Sequence, residues 1–128
     1  DNVAVMARNQ GIAAIVTDGL VRDIEGILAA EIPVFCCGVS PNSPYAHGPG
    51  RVGLPISISR LVIQPGDMIV GDRNGVVVIS RIDIDKVISS IEVVKKKEVE
   101  LESKIRKGLC YADWVDDYLQ SNRTKYLD

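Results

Sequence analysis

Apolar residues follow two patterns along this chain. In the first third, short continuous runs alternate with stretches of helical spacing, and such runs are typical of buried parallel strands. Gly and Pro turns divide the middle into short extended segments, and a helical period then returns. The pattern predicts an α/β fold with mixed sheets and flanking helices. The predicted helices are residues 2–9, 23–30, 83–107 and 114–119, and the predicted strands are residues 12–17, 34–37, 55–58, 61–63, 68–70 and 76–79.

A polar segment, residues 38–54, interrupts these elements. Ser, Pro, Asn and Gly dominate it, which predicts a long loop. Loops of this length inside a compact domain are usually either functional or disordered.

Composition and charge narrow the class of protein. The 128 residues are 46% hydrophobic and 25% charged, as in a globular domain, which excludes collagen-like and disordered chains. The net charge is −2, and 15 basic and 17 acidic residues are mixed along the chain, so no nucleic-acid surface is expected. No apolar run approaches the roughly 18 residues of a membrane span. Three cysteines without a C-x-x-C spacing disfavour a structural zinc site, and we expect a cytoplasmic protein with reduced thiols.

The segment from Thr17 to Asp23 carries the strongest chemical signal. It joins a predicted strand to a predicted helix, and ligands of α/β sheets collect at such carboxyl ends of strands. Arg22 offers a planar fork suited to a carboxylate, and Asp23 offers hard oxygen ligands suited to Mg²⁺ or Mn²⁺. The alternative is structural: Asp23 caps the helix and Arg22 forms a surface ion pair. Spacing alone leaves both interpretations open.

Other polar residues have simpler interpretations. Asp67 and Asp72 each follow a Gly beside a predicted strand, where Asp commonly forms turns. His47 lies in the long loop, and a single loop histidine is most simply a solvated side chain. Asp1, taken by itself, has the features of a frayed terminal residue.

Several separated motifs nevertheless resemble a known family. Asp1, twenty residues and then Arg22-Asp23 is similar to the D-x20-R-D signature of class II 4-hydroxy-4-methyl-2-oxoglutarate/4-carboxy-4-hydroxy-2-oxoadipate aldolases, which are homologous to the RraA regulators of ribonuclease E activity. The resemblance covers about residues 1–108, and motifs in register over this length favour a functional Arg22-Asp23 pair. The further matching motifs are His47-Gly48-Pro49-Gly50, Pro65-Gly66-Asp67 and Gly71-Asp72-Arg73-Asn74-Gly75.

The resemblance implies a fold and an assembly. Residues 1–108 would form a swivelling β/β/α domain, and residues 109–128 would form a C-terminal extension with a short helix. Family members are longer and carry a Gly-rich loop before the position of Asp1, whose amides bind the substrate carboxylate. We therefore expect this chain to lack the N-terminal part of the domain. Members assemble as trimers or dimers of trimers with active sites between subunits, so we expect a homotrimer or hexamer.

The resemblance also implies a chemistry. Family aldolases cleave a 2-oxo acid by a retro-aldol reaction that releases pyruvate, and oxaloacetate decarboxylation accompanies it. A divalent cation, Mg²⁺ or Mn²⁺, stabilises the enolate that both reactions form. In this chain Asp23 would hold the metal through waters, Arg22 would bind the substrate oxygens, and Asp1 would orient or deprotonate the water that acts as base.

Two points stay open in the sequence. The family has a metal-supporting acid from the neighbouring subunit, for which Glu98 is the best candidate and Glu100 and Glu102 are alternatives, although all three suit a solvated helix face. The alternative function is a non-enzymatic regulator that binds ribonuclease E or RNA helicases. An acid at Asp1 favours the aldolase, because a regulator does not need a base there. A catalytically silent relative that serves as a scaffold is a third possibility.

Overall fold

The computed structural model describes residues 1–45 and 47–125. It forms two compact units, one built from Asp1–Ile84 and the other from the chain beyond it. The helices are α1 (Asn2–Asn9), α2 (Ile24–Ala29), α3 (Ile84–Arg106) and α4 (Trp114–Leu119). The strands are β1 (Ile15–Val16), β2 (Leu20–Val21), β3 (Val34–Phe35), β4 (Gly38–Val39), β5 (Ile56–Ile58), β6 (Leu61–Ile63), β7 (Met68–Asp72) and β8 (Gly75–Ile79). The mixed α/β character expected from the sequence is confirmed.

Small side chains form the buried core of the first unit. Ala4 and Ala7 lie one turn apart on α1 and pack with Ala30 and Ile32, which follow α2. Their size allows the two helices to approach closely. Arg8 at the end of α1 donates a hydrogen bond from Nη1 to the Ala30 carbonyl at 3.1 Å. The core thus fixes α1 against the C-terminal end of α2.

Two short parallel strand pairs follow the expected order of strand, helix and strand. β1 pairs with β3, with Ile15 opposite Val34. β2 pairs with β4, and α2 lies in the crossover between them. The second pair corrects the sequence prediction, which assigned no strand to residues 20–21 and began the long loop at residue 38. Two-residue strands carry no periodic pattern, and their pairing depends on distant hydrogen bonds such as Ser40 N to Val21 O at 2.9 Å.

Two antiparallel hairpins make up the remaining sheets. Ser59 and Arg60 form the turn between β5 and β6, with positive φ values of 48° and 70°. Asp72 begins the turn between β7 and β8, and its carboxylate accepts from Asn74 N at 2.7 Å, which lowers the pKa of Asp72. Asp67 accepts from the backbone N–H groups of Gln64 and Arg81, and these bonds lower its pKa as well. The turn-forming interpretation of both aspartates is confirmed.

Gly71 of β7 allows the ring of Phe35 to approach the backbone. A Cβ added at Gly71 would lie 2.5 Å from Phe35 Cζ and 2.8 Å from its Cε2 atom. This close approach joins the β7–β8 hairpin to the strand that pairs with β1.

We expect Gly71→Ala to lower the free energy of unfolding by about 1–3 kcal/mol, because the Phe35 ring must leave its position. Gly48→Ala is the control, since a Cβ there would contact none of the described residues within 4 Å. Urea unfolding of the two variants measures the difference. Equal stability of both would show that the Phe35 ring moves at no cost.

The second unit contains most of α3 together with α4. A 3₁₀ turn, Arg81–Asp83, precedes α3, and Gly108 follows it with a left-handed φ of 101°. In α4 the rings of Trp114 and Tyr118 meet edge to face, with centroids 6.3 Å apart. The helices predicted over residues 83–107 and 114–119 are therefore confirmed, the first shortened by one residue at each end. Within the described ranges, no helix is both long and apolar enough to cross a membrane.

Candidate functional site

The carboxyl ends of β2 and β4 meet at one edge of their sheet. Thr17 Oγ1 accepts a hydrogen bond from Gly19 N at 3.0 Å, and this turn redirects the chain into β2. Arg22 and Asp23 follow β2 directly, and residues 40–44 follow β4. Because the two strands are parallel, both segments emerge on the same side. The expected position of the pair at the start of a helix is confirmed, whereas the strand that it follows is β2, which the sequence did not predict.

Asp23 does not cap α2 with its side chain. It stands at the N-cap position in the left-handed conformation, at φ 60° and ψ 50°, without a capping hydrogen bond from its carboxylate. Its Oδ2 lies 3.1 Å from Arg22 Nε instead, and both side chains are nearly half exposed. An ion pair this exposed contributes little to stability. Asp23 therefore adopts the left-handed conformation without the capping hydrogen bond that usually accompanies an aspartate at this position.

Two partners hold the guanidinium of Arg22. Nε faces Asp23, and Nη1 donates to Ser43 Oγ at 2.9 Å. Because the two contacts use different nitrogens of one rigid plane, they fix its orientation. Nη2 forms no hydrogen bond or ion pair with the residues that the structure describes, and it is therefore available to a ligand.

Asp1 and Arg22 line the same cavity, although they lie 21 positions apart in the sequence. Asp1 is the N-cap of α1, and its Oδ1 accepts from Asn2 N at 2.6 Å. The cavity measures about 680 Å³, and branched apolar side chains such as Ile27 and Val34 form part of its lining. Its polar lining residues are Asp1, Asn2, Arg22, Ser40, Asn42 and Ser43. The predicted base and the predicted substrate-binding arginine therefore share one cavity.

Asp23 lines a second cavity, of about 640 Å³. Glu25 also lines it, and Arg22 and Ser40 line both cavities. Asp1 and Asp23 thus line different cavities, and Arg22 lines both of them. In residues 1–45 and 47–125, no group of three or more His, Cys, Asp or Glu side chains is arranged to hold a metal ion.

The predicted metal-supporting acids lie outside this part of the structure. Glu98, Glu100 and Glu102 belong to α3 in the second unit, and all three are exposed. Their role stays a prediction.

Sequence reasoning missed the polar residues after β4. Ser40, Asn42 and Ser43 fell inside a segment predicted only as a long loop. A usable signal was present, since polar residues that follow a strand parallel to the one bearing Arg22 belong at the same sheet edge.

We expect Ser43→Ala to lower the activity that depends on Arg22 and to leave the stability of the fold nearly unchanged. The variant removes the 2.9 Å bond that fixes the guanidinium, so kcat/KM for the reaction proposed below should fall about tenfold. Ser43→Thr keeps the hydroxyl and should retain most of the activity. Steady-state kinetics and thermal melting of both variants provide the measurement, and equal kinetics for Ala and Thr would contradict the role of Ser43.

Comparison with known proteins identifies relatives of this chain. The sequence profile of the RraA-like family, described as Aldolase/RraA, matches residues 1–78. A protein of Halalkalibacterium halodurans named "Putative 4-hydroxy-4-methyl-2-oxoglutarate aldolase" is 39% identical over 106 residues, which is 83% of this chain and 49% of that protein. An uncharacterised protein of Methanocaldococcus jannaschii is 35% identical over 102 residues, 80% of this chain and 49% of its own length.

A solved structure shows the same fold. The crystal structure of an uncharacterised protein from Pseudomonas syringae pv. tomato matches with a TM-score of 0.71 and 29% identity, over 84% of this chain and 55% of that one. The chain spans about half the length of the curated relatives it matches. Because the family profile matches more than half of the chain and includes Asp1, Arg22 and Asp23, the resemblance is confirmed and this chain belongs to the RraA-like family.

Proposed function

We propose that this protein is a metal-dependent lyase that cleaves a 2-oxo acid by a retro-aldol reaction and releases pyruvate, and that it also decarboxylates oxaloacetate. One observation carries the proposal: Arg22 shares a cavity with Asp1, and its guanidinium forms an ion pair with Asp23. The naming of relatives as aldolases supports the same reading.

Arg22 would bind the oxygen atoms of the substrate. It is the one cationic side chain among the described residues that line the Asp1 cavity. Negative charge develops on the keto oxygen as the carbon–carbon bond breaks, and a preorganised cation stabilises that charge more than water does. The contacts to Ser43 and Asp23 hold the guanidinium in place before the substrate arrives.

Asp1 would supply the base. In a retro-aldol cleavage the hydroxyl proton of the substrate must leave as the carbon–carbon bond breaks. The Asp1 carboxylate would take this proton through a water molecule that it orients. Its hydrogen bond to Asn2 N keeps one carboxylate oxygen in place at the start of α1.

A divalent cation, when bound, would withdraw electron density from the keto oxygen and so lower the barrier to enolate formation. Mg²⁺ in proteins usually keeps several waters and binds one or two carboxylates. The half-exposed Asp23 carboxylate fits this preference, because it faces an open cavity that Glu25 also lines. Asp23 would therefore hold the metal, largely through waters.

We further propose a homotrimer or hexamer, with the swivelling β/β/α domain as its subunit. Apolar residues spaced three, seven and four apart lie along one face of α3, and these residues, Ile91, Val94, Leu101 and Ile105, are 41–53% exposed. Glu98 lies in the same line, between Val94 and Leu101. A second subunit that covers this stripe would also meet Glu98, which supports its role as an acid supplied across the interface. Light scattering measures the assembly, and a monomer would contradict it.

Pyruvate release by the purified protein tests the function. The assay takes 4-hydroxy-4-methyl-2-oxoglutarate or oxaloacetate, with added Mg²⁺ or with a chelator, and couples pyruvate to lactate dehydrogenase. We expect turnover with Mg²⁺ and its loss with the chelator. A protein that releases no pyruvate yet inhibits ribonuclease E would support the regulator instead.

A further inference from the structure

The backbone conformation at position 26 does not require a glycine. It lies inside α2, half-buried, and its φ is not among the positive ones. Alanine is favoured over glycine in the interior of a helix, because glycine loses more backbone entropy on folding. The reason for a glycine here must therefore lie in what its missing side chain would contact.

A side chain at position 26 would collide with Asp1. A Cβ built on Gly26 lies 2.5 Å from Asp1 Cβ, 3.2 Å from its Cγ and 3.1 Å from its Oδ2. The nearest of these, Cβ, is the root of the side chain, so rotation of Asp1 cannot move it away. The Asp1 carboxylate is also held by its bond to Asn2 N. Any side chain at 26 must therefore shift the backbone of α1 or of α2.

We propose that Gly26 is a positioning residue for Asp1: its bare backbone admits the Asp1 carboxylate to the cavity beside Arg22. The inference rests on the proposed function, because Asp1 acts there as the base. The contact joins the start of α1 to the helix that follows Arg22 and Asp23, so it sets the distance between the base and the arginine. A displacement of about 1 Å in such a site can reduce the rate about a hundredfold.

The first measurement is kinetic. We expect Gly26→Ala to lower kcat for pyruvate release by roughly ten- to a hundredfold, with a smaller change in KM, because Arg22 still binds the substrate. Gly48→Ala is the control, since a Cβ there meets nothing within 4 Å in the described part of the chain and its φ is not positive. That control should keep the kinetics of the unmodified protein.

The second measurement does not depend on activity. When Asp1 is present, Gly26→Ala should lower the melting temperature, because the new Cβ collides with Asp1 Cβ. In an Asp1→Gly background that Cβ is absent, so the same change should raise the melting temperature through the better helix propensity of alanine. This reversal of sign is specific to the contact, and a double-mutant cycle isolates it.

Each outcome decides a different part of the inference. A fall in kcat together with the sign reversal supports the positioning role. If Gly26→Ala changed the melting temperature equally with Asp and with Gly at position 1, the proposed contact between positions 26 and 1 would be wrong. A sign reversal with unchanged kcat would overturn the positioning role and leave the proposed function standing. An unmodified protein that releases no pyruvate would contradict the proposed function itself, and the role of Gly26 in it would fall at the same time.

Discussion

Asp23→Asn should reduce Mg²⁺-dependent pyruvate release by at least about a hundredfold while the protein stays folded. Asparagine tolerates the left-handed backbone of this position nearly as well as aspartate, so the fold loses little. It lacks the negative charge that would hold the hydrated cation. Asp23→Gly should have the same effect on catalysis, because glycine accepts this conformation without any side chain. Coupled kinetics over a range of Mg²⁺ concentrations measure both variants.

Glu31 provides a matched control for Asp23. It also adopts a left-handed φ, 56°, and its carboxylate lies 3.8 Å from an arginine, Arg8. Glu31→Gln thus removes an exposed paired charge from the same kind of backbone, and it should leave turnover unchanged. If Asp23→Asn also kept near-normal turnover, Asp23 would be an ordinary surface residue and the metal assignment would be wrong.

Arg22→Lys should reduce kcat/KM nearly as severely, although it keeps the positive charge. Lysine carries a single ammonium on a flexible chain, so it cannot contact Ser43 and Asp23 through two fixed nitrogens and still present a third to the substrate. We expect a loss of about a hundredfold, mostly in kcat, because the guanidinium acts on charge that develops during bond cleavage.

Arg8→Lys is the corresponding control. Arg8 also combines an ion pair with a side-chain hydrogen bond, to Glu31 and to the Ala30 carbonyl, and it differs from Arg22 in its place on α1. It should lose some stability and no activity. Normal kinetics for Arg22→Lys would show that a charge at this position is sufficient, and the role of the fork would be refuted.

Elements with a long periodic pattern could be predicted from the sequence. The apolar spacing of α1 and α3 placed both helices within one residue of their ends. The Gly-rich turn motif around Asn74 likewise placed the β7–β8 hairpin. β2 and β4 could not be found this way, because two residues contain no period and their formation depends on a partner strand.

Only the charged residues of the candidate site could be predicted from the sequence. The D-x20-R-D spacing singled out Asp1, Arg22 and Asp23, and the fold brings Asp1 and Arg22 to one cavity despite their separation in sequence. Ser43 and Gly26 were missed for different reasons. Ser43 depends on the pairing of β4, and the importance of Gly26 depends on a contact between two helices that no local pattern records.

The left-handed backbone of Asp23 also limits how this position can change during evolution. Asn and Gly are the residues that fit such a φ most readily, and β-branched residues are strongly disfavoured. A descendant that lost the reaction would therefore most easily carry Asn or Gly at position 23 and keep an intact fold. Relatives that serve as scaffolds can be sought by this substitution, because the backbone conformation at position 23 restricts which residues can replace Asp23.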